Sequence, residues 1–218
     1  MNGRGETRVE HLRVGGPSGP WQRLGLVVVD GLIPLFGTGI RIVEDDPPGL
    51  NGWAIFRSAW SDQPDPVDRN MQNGRFHVDG LPTELIAAGD PIFVTHPLGA
   101  AELDHVVVAT DSLERTCAAI TEATGASLKR VREVGALRQG FHRMGGLIVE
   151  VVERTGLPVG PASFWGLVLT VNDLDAAVAG LGPDLVGAAK PAVQPGRSIA
   201  TIRKAAGLGL PVALLSRP

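Results

Sequence analysis

The sequence predicts an α+β fold built from paired βαβββ modules, and three observations carry that expectation. Residues 102–153 read as a strand, a helix and three further strands. A degenerate second copy of the same pattern follows, and the first 98 residues are rich in glycine and proline with little helical periodicity.

In the first strand of that unit, Leu103, His105, Val107 and Ala109 fall on one face, and Asp104, Val106, Val108 and Thr110 on the other. Both faces are largely apolar, so the strand should be buried on both sides. Asp111-Ser-Leu-Glu114 has the form of a capping box with Asp111 as the cap. Leu113, Cys117, Ile120 and Thr124 then form a helical stripe that ends at Gly125. Strands are expected at Leu128 to Val134, Leu137 to Met144 and, after the Gly145-Gly146 turn, Leu147 to Glu153.

The second copy shows in the offsets. His105, Asp111, Leu113 and Glu114 align with Gly166, Asn172, Leu174 and Asp175, each 61 positions on. Gly146-Leu-Ile-Val-Glu-Val-Val aligns with Gly209-Leu-Pro-Val-Ala-Leu-Leu at an offset of 63, which puts about two extra residues in the loops of the copy. With Leu103-Asp-His-Val-Val-Val before a capped helix and Leu147-Ile-Val-Glu-Val-Val at the module end, the chain resembles the vicinal oxygen chelate superfamily over residues 99–218. That superfamily holds glyoxalases, extradiol dioxygenases, methylmalonyl-CoA epimerase and bleomycin- and fosfomycin-resistance proteins. The resemblance implies a glyoxalase-like domain of two modules, about 99–157 and 162–218, forming an open curved barrel around a small-molecule cavity. Each module would typically give one metal ligand from its first strand and one from its last.

Residues 1–98 form the β-rich N-terminal region. Leu24 to Val29 and Leu32 to Phe36 are expected to form a hairpin through Asp30-Gly31, with Pro34 marking an edge strand. Ile40 to Glu44 and Trp53 to Phe56 are strands separated by Asp45-Asp-Pro-Pro-Gly49, and Arg57 to Gly74 is a long polar loop. Phe76 to Leu81 repeats the Val-Asp-Gly-Leu of residues 29–32 and suggests another hairpin.

A 44% hydrophobic content supports a substantial core, and a net charge of −3 argues against nucleic acid as the main partner. The start, MNGRGETRVEH, lacks the apolar core of a signal peptide, and no apolar run reaches the length of a membrane span. The single cysteine, Cys117, rules out an intramolecular disulfide framework and is read as a buried small hydrophobe. These features point to a cytoplasmic protein with no membrane partner.

Under the resemblance, His105 and Glu150 face one another in the concave side of the first module and are the metal candidates, for Zn, Mn, Ni or Fe. Their counterparts in the second copy, Gly166 and Ala213, carry no ligating side chain, so any metal is expected to be weakly held or absent. His142 is the next candidate for a ligand or pocket residue. Phe141 and Trp165 are candidate aromatic walls, and Arg138, Arg143, Arg197 and Arg203 are candidate contacts to an anionic or carbonyl-bearing ligand. His11, His77 and His96 show no ligand spacing. Gly37-Thr-Gly39 lacks the third glycine of a dinucleotide fingerprint, and Walker A, Gly-x-Ser-x-Gly and Cys-x-x-Cys motifs are absent. Three functions remain open: a metal-assisted lyase, isomerase or dioxygenase; a metal-free binding or sequestering protein; and a non-catalytic assembly module, pairing as a homodimer through its strand edges.

Overall fold

A computed structural model describes residues 7–58, 74–135, 137–154, 156 and 158–218. The expected first module is present. Strand β7 (Ala100–Thr110) leads into α2 (Leu113–Thr124) and then β8 (Leu128–Val134), β9 (Leu137–Met144) and β10 (Leu147–Glu153). The second module follows as β11 (Ser163–Val171), α3 (Leu174–Leu181), β12 (Lys190–Pro191), β13 (Ser198–Thr201) and β14 (Val212–Ser216). Together they make one open eight-stranded sheet of order β12-β13-β14-β11-β7-β10-β9-β8. The N-cap of α2 is Ser112, whose side chain accepts from Arg115 N–H, one residue later than expected. Asp111 instead pairs with Arg115 at 2.7 Å.

The pairing register reproduces the repeat. Val149 lies opposite Val106 on the parallel pair of the first module, and Val212 lies opposite Leu167 in the second. These are the residues that offsets of 61 and 63 equate. The first strands β7 and β11 run antiparallel with Val106 opposite Leu167, so the modules are related by a local two-fold.

Among the described residues, the N-terminal region shows a similar strand arrangement, with three strands in each half. Strand β1 (Thr7–Gly15) is followed by the five-residue helix α1 (Gly19–Arg23), then β2 (Leu32–Leu35) and β3 (Thr38–Val43). Its partner half is β4 (Gly49–Arg57), β5 (Arg75–Val78) and β6 (Leu81–Leu85), and the sheet order is β2-β3-β1-β4-β6-β5. Here too the first strands, β1 and β4, are antiparallel, and the last strand of each half, β3 or β6, runs parallel to its first. The detail extends to the bulges. On β1 the extra residue is Glu10, just before His11; on β7 it is Asp104, just before His105. Val9-Glu-His-Leu thus sits in the structure as Leu103-Asp-His-Val does, 94 positions earlier. Through these registers His11, Arg41, Gly52 and Glu84 occupy the positions of His105, Glu150, Gly166 and Ala213.

The expected hairpin from Leu24 to Phe36 does not form. Pro20 sits in the first turn of α1, Leu24 caps its end, and Gly25 turns away at φ 81°, so only Val29 bridges to Leu32. The Asp30-Gly31 turn itself is of the primed kind, with φ of 48° and 74°, and Asp79-Gly80 repeats it with 48° and 90°. The hairpin lies one step on, between β2 and β3, and Pro34 is on the edge strand as expected. The polar loop expected at Arg57 to Gly74 lies almost wholly outside the described residues.

The two sheets pack through one apolar core. Leu12, Val14, Ile40, Trp53, Ile55 and Leu81 of the first join Val106, Val108, Val149, Val151, Leu167 and Leu169 of the second in a single cluster. Trp53 and Phe164 meet edge to face at 5.3 Å. Asp79, at the β5–β6 turn, accepts from Arg115 at 2.9 Å and from the Thr116 hydroxyl at 2.5 Å, which ties that turn to the start of α2. The opposite faces of both sheets, which carry His11 and His105, are turned outward.

Cys117 is buried on α2, and burial, helped by Glu114, pushes its thiol up to about 11. Native protein should therefore react with a thiol reagent at least about a hundredfold more slowly than unfolded protein at pH 8. At Gly166 and Gly52, an added Cβ would lie 2.6 Å from the Pro211 carbonyl oxygen and 2.9 Å from that of Pro82. Alanine at either position should cost about 1–3 kcal/mol in urea unfolding, with similar penalties in the two sheets.

Candidate functional site

A cavity of 380 Å³ lies on the outward face of the eight-stranded sheet. His105 and Glu150 form its floor, Phe141, Ile148, Ile199 and Leu215 give an apolar strip, and Lys129, Arg130, Arg132 and Arg143 stand around it. The strand alternation explains this set. Gln139, Phe141 and Arg143 alternate on β9, Ile148 and Glu150 on β10, and a bulge at Lys129 lets that residue line the cavity with Arg130. Arg130 lies over the Phe141 ring at 4.8 Å.

The bulge on β7 makes the chemistry. Asp104 was expected on the face opposite His105, but the extra residue brings both side chains together, and Asp104 Oδ2 lies 2.8 Å from His105 Nδ1. Asp104 is only 10% exposed, and Arg197 donates to its other oxygen at 2.8 Å. Burial alone would raise its pKa, but the hydrogen bonds from His105 and Arg197 outweigh that and hold the carboxyl below the usual range. An acceptor at Nδ1 places the ring proton there and leaves Nε2 toward the cavity, 3.5 Å from Glu150 Oε2. Gln139 Nε2 donates to Glu150 Oε1 at 2.5 Å and fixes that carboxylate in turn.

His142 is among the residues that line the cavity, though only 1% exposed: its Nδ1 hydrogen-bonds the Ala126 carbonyl oxygen at 2.9 Å, and burial lowers its pKa. Other expected pocket residues are placed elsewhere. Trp165 is the bulged residue of β11, half exposed and stacked under Arg154, and does not line the cavity. Arg203 lies past β13 and reaches the Val186 carbonyl. Arg138 faces away and pairs with Glu114, Glu133 and Glu153. Phe141 and Arg143 line the cavity, whereas Arg197, just before β13, acts through Asp104. His96 is a clamp rather than a site: it accepts from Val27 N–H at 2.9 Å and its Nε2 lies 2.7 Å from the Pro34 carbonyl oxygen.

Two cavity-facing donors, His105 Nε2 and Glu150 Oε2, are set as neighbours. Gly166 cannot join them because the Pro211 carbonyl fills the space a side chain would need, and Ala213 has no donor. Among the described residues, no group of three or more His, Cys, Asp or Glu side chains is arranged to hold a metal ion. A divalent ion wants about four or more ligands, so this donor set does not fit a resident metal.

The fold is mixed α+β, with βαβββ modules of the glyoxalase kind. The chain is similar to 4-hydroxymandelate synthase from Streptomyces coelicolor, at a TM-score of 0.62 and 14% identity, covering 97% of this chain and 92% of that one. It is also similar to methylmalonyl-CoA epimerase from Mycobacterium tuberculosis, at a TM-score of 0.46 and 16% identity, covering 55% of this chain and 90% of that one. At these identities the likeness is one of fold. No protein-family model matches the sequence, and no curated protein matches it either. Among the described residues no helix is long and apolar enough to cross a membrane.

The depressed carboxyl of Asp104 gives a pH signature. Its contribution to stability is present above the unfolded pKa of about 4 and is lost as pH falls through the lower folded value. In urea unfolding, Asp104→Asn should cost about 1–2 kcal/mol at pH 7, and its deficit against wild type should shrink steadily below pH 4.

Proposed function

We propose that the cavity over His105 binds a small anionic, carbonyl-bearing molecule and that His105 moves a proton on it, as in an isomerase. The observation that carries this reading is the imidazole held between two carboxylates on the floor of a cationic cavity. The ligand's anionic group meets Lys129, Arg130, Arg132 and Arg143, and its apolar part lies on Phe141 and Ile148. That directs a carbon next to the carbonyl toward His105 Nε2. The Nε2 lone pair takes a proton from this carbon, the C–H electron pair moves into the carbonyl system as an enolate, and the cationic rim stabilises the charge. The positive charge gained by the ring develops between Asp104 and Glu150, and return of a proton to the same carbon regenerates the carbonyl compound, epimerised where the proton arrives on the other face.

No step is routed through a metal, because the donor set does not fit a resident one. A divalent cation would be held only by His105, Glu150 and the ligand's own oxygens, and would exchange readily. A sequestering protein would use the same cavity without proton transfer, and the cationic rim over an apolar strip is the feature that favours it.

The test is deuterium incorporation at C3 of 2-oxobutanoate in D₂O, followed by proton NMR with chelator present. Wild type should accelerate exchange saturably; His105→Ala should lose that acceleration by about a hundredfold or more, and Asp104→Asn by about tenfold. Saturable binding of 2-oxobutanoate without exchange would establish the sequestering reading, and exchange at the wild-type rate in His105→Ala would sink the role given to that residue. Mn²⁺ added to chelated protein should bind with a Kd above about 10 μM, and both His105→Ala and Glu150→Ala should abolish that binding.

A further inference from the structure

We propose that the outward face of the six-stranded sheet is a second ligand site, centred on His11 and Arg41, for a small organic anion with an apolar body. A cavity of 840 Å³ lies on this face, walled on one side by residues 86–99, and a smaller one of 170 Å³ adjoins it. His11 lines both and so stands where they meet.

The pairing register gives the face its meaning. His11 holds the position of His105, but the position of Glu150 is taken by Arg41. Exchanging a carboxylate for a guanidinium beside the same imidazole turns a place suited to a cation into one suited to an anion. Glu84 occupies the position of Ala213, two strands from His11.

The charges nearby are not equally free. Arg13 is held in a two-point bond by Asp46, at 2.7 and 3.1 Å. Arg8 pairs with Glu10 at 2.7 Å and lies 4.5 Å over the Phe56 ring. Arg41 has no carboxylate partner among the described residues. Its Nη1 donates to the Asp30 carbonyl at 2.5 Å, and the rest of its fork is unspent. His11 makes no hydrogen bond among the described residues. Its pKa is lowered, chiefly by burial and then by Arg41, against an opposing pull from Glu84. A neutral imidazole beside an unspent guanidinium offers a polar contact and a fork that matches carboxylate, sulfonate or phosphate oxygens. The rest of the wall is apolar: Leu32, Pro34 and Ile92 line it, and Phe36 and Phe93, 76% and 81% exposed, stand at its rim. Such a wall suits a ring or short chain carrying the anionic group.

This site stands on its own observations and does not depend on the reading of the other cavity. Naphthalene-2-carboxylate is a suitable probe, titrated calorimetrically into the full chain. Wild type should bind it saturably below about 1 mM, and the neutral naphthalene-2-carboxamide should bind at least about tenfold more weakly. Arg41→Gln should weaken the carboxylate at least about tenfold, Arg41→Lys by no more than about threefold, and His105→Ala should leave it unchanged. Circular dichroism and the melting temperature check that each variant is folded; the carboxamide comparison needs no variant and decides the question if Arg41→Gln does not fold. Absence of binding, equal affinity for the carboxamide, or wild-type affinity in folded Arg41→Gln would overturn the proposal. Loss of binding in His105→Ala with Arg41→Gln unaffected would overturn it too, by assigning the probe to the other cavity.

Discussion

The structure depends on the antiparallel contact between first strands, β7 against β11 and β1 against β4, with a bulge on each strand of each pair. An extra residue shifts the pleat by one position, and a strand has a side-chain period of two, so each bulge decides what faces outward. On β7 the shift sets Asp104 beside His105 and, on the far side of the bulge, keeps Val106 and Val108 in the core. Without it the histidine would lose the carboxylate that fixes its tautomer. On β11 the close approach of the Pro211 carbonyl requires glycine at 166, so the geometry that builds the pair of modules also removes a ligand position.

The part of the fold legible in the sequence was the part with a strong local period. Leu128–Val134, Leu137–Met144 and Leu147–Glu153 end where turn residues and alternation place them. The repeat showed because both copies keep a capped helix. The N-terminal duplication stayed hidden because its only described helix is five residues long and so leaves almost no periodic trace. The signal present was the short match of Val9-Glu-His-Leu to Leu103-Asp-His-Val. The repeated tetrapeptide Val-Asp-Gly-Leu marks turns at non-equivalent places, before β2 in one half and between β5 and β6 in the other. At the site, His105, Glu150, Phe141 and Arg143 could be read from alternation. Asp104, Gln139 and Lys129 could not, because two depend on bulges and the third on a cross-strand partner.

The two outward faces show how one backbone can carry opposite chemistry. Both keep a histidine at the same point of the first strand, and the neighbouring last strand supplies Glu150 in one sheet and Arg41 in the other. The backbone sets the distances, while the sign of one side chain sets what can be held. In the eight-stranded sheet the cations stand at the rim, away from a carboxylate floor; in the six-stranded sheet a cation is on the floor and the rim is aromatic. A duplicated fold is therefore a poor guide to a shared ligand here.

Stacking of the sheets supplies cover that the short described helix of the N-terminal half does not. In the C-terminal half, α2 covers β9 and β10, and α3 packs on β13 and β14. The central strands β7 and β11 have apolar residues on that same face, and there the cover comes from the other sheet, with Trp53 against Phe164. Each sheet thus acts as the missing layer of the other, in keeping with the need of a sheet to bury its apolar face against a second element. Separating them would expose Leu12, Trp53 and Ile55 on one side and Val106, Val108 and Leu167 on the other, all at most 2% accessible in the folded chain. At about 1.5–3 kcal/mol for each large apolar side chain, that exposure is comparable to the stability of a typical domain. The shared core thus couples the two halves, and the outward faces, which carry His11 and His105, are the part of each sheet left free to bind.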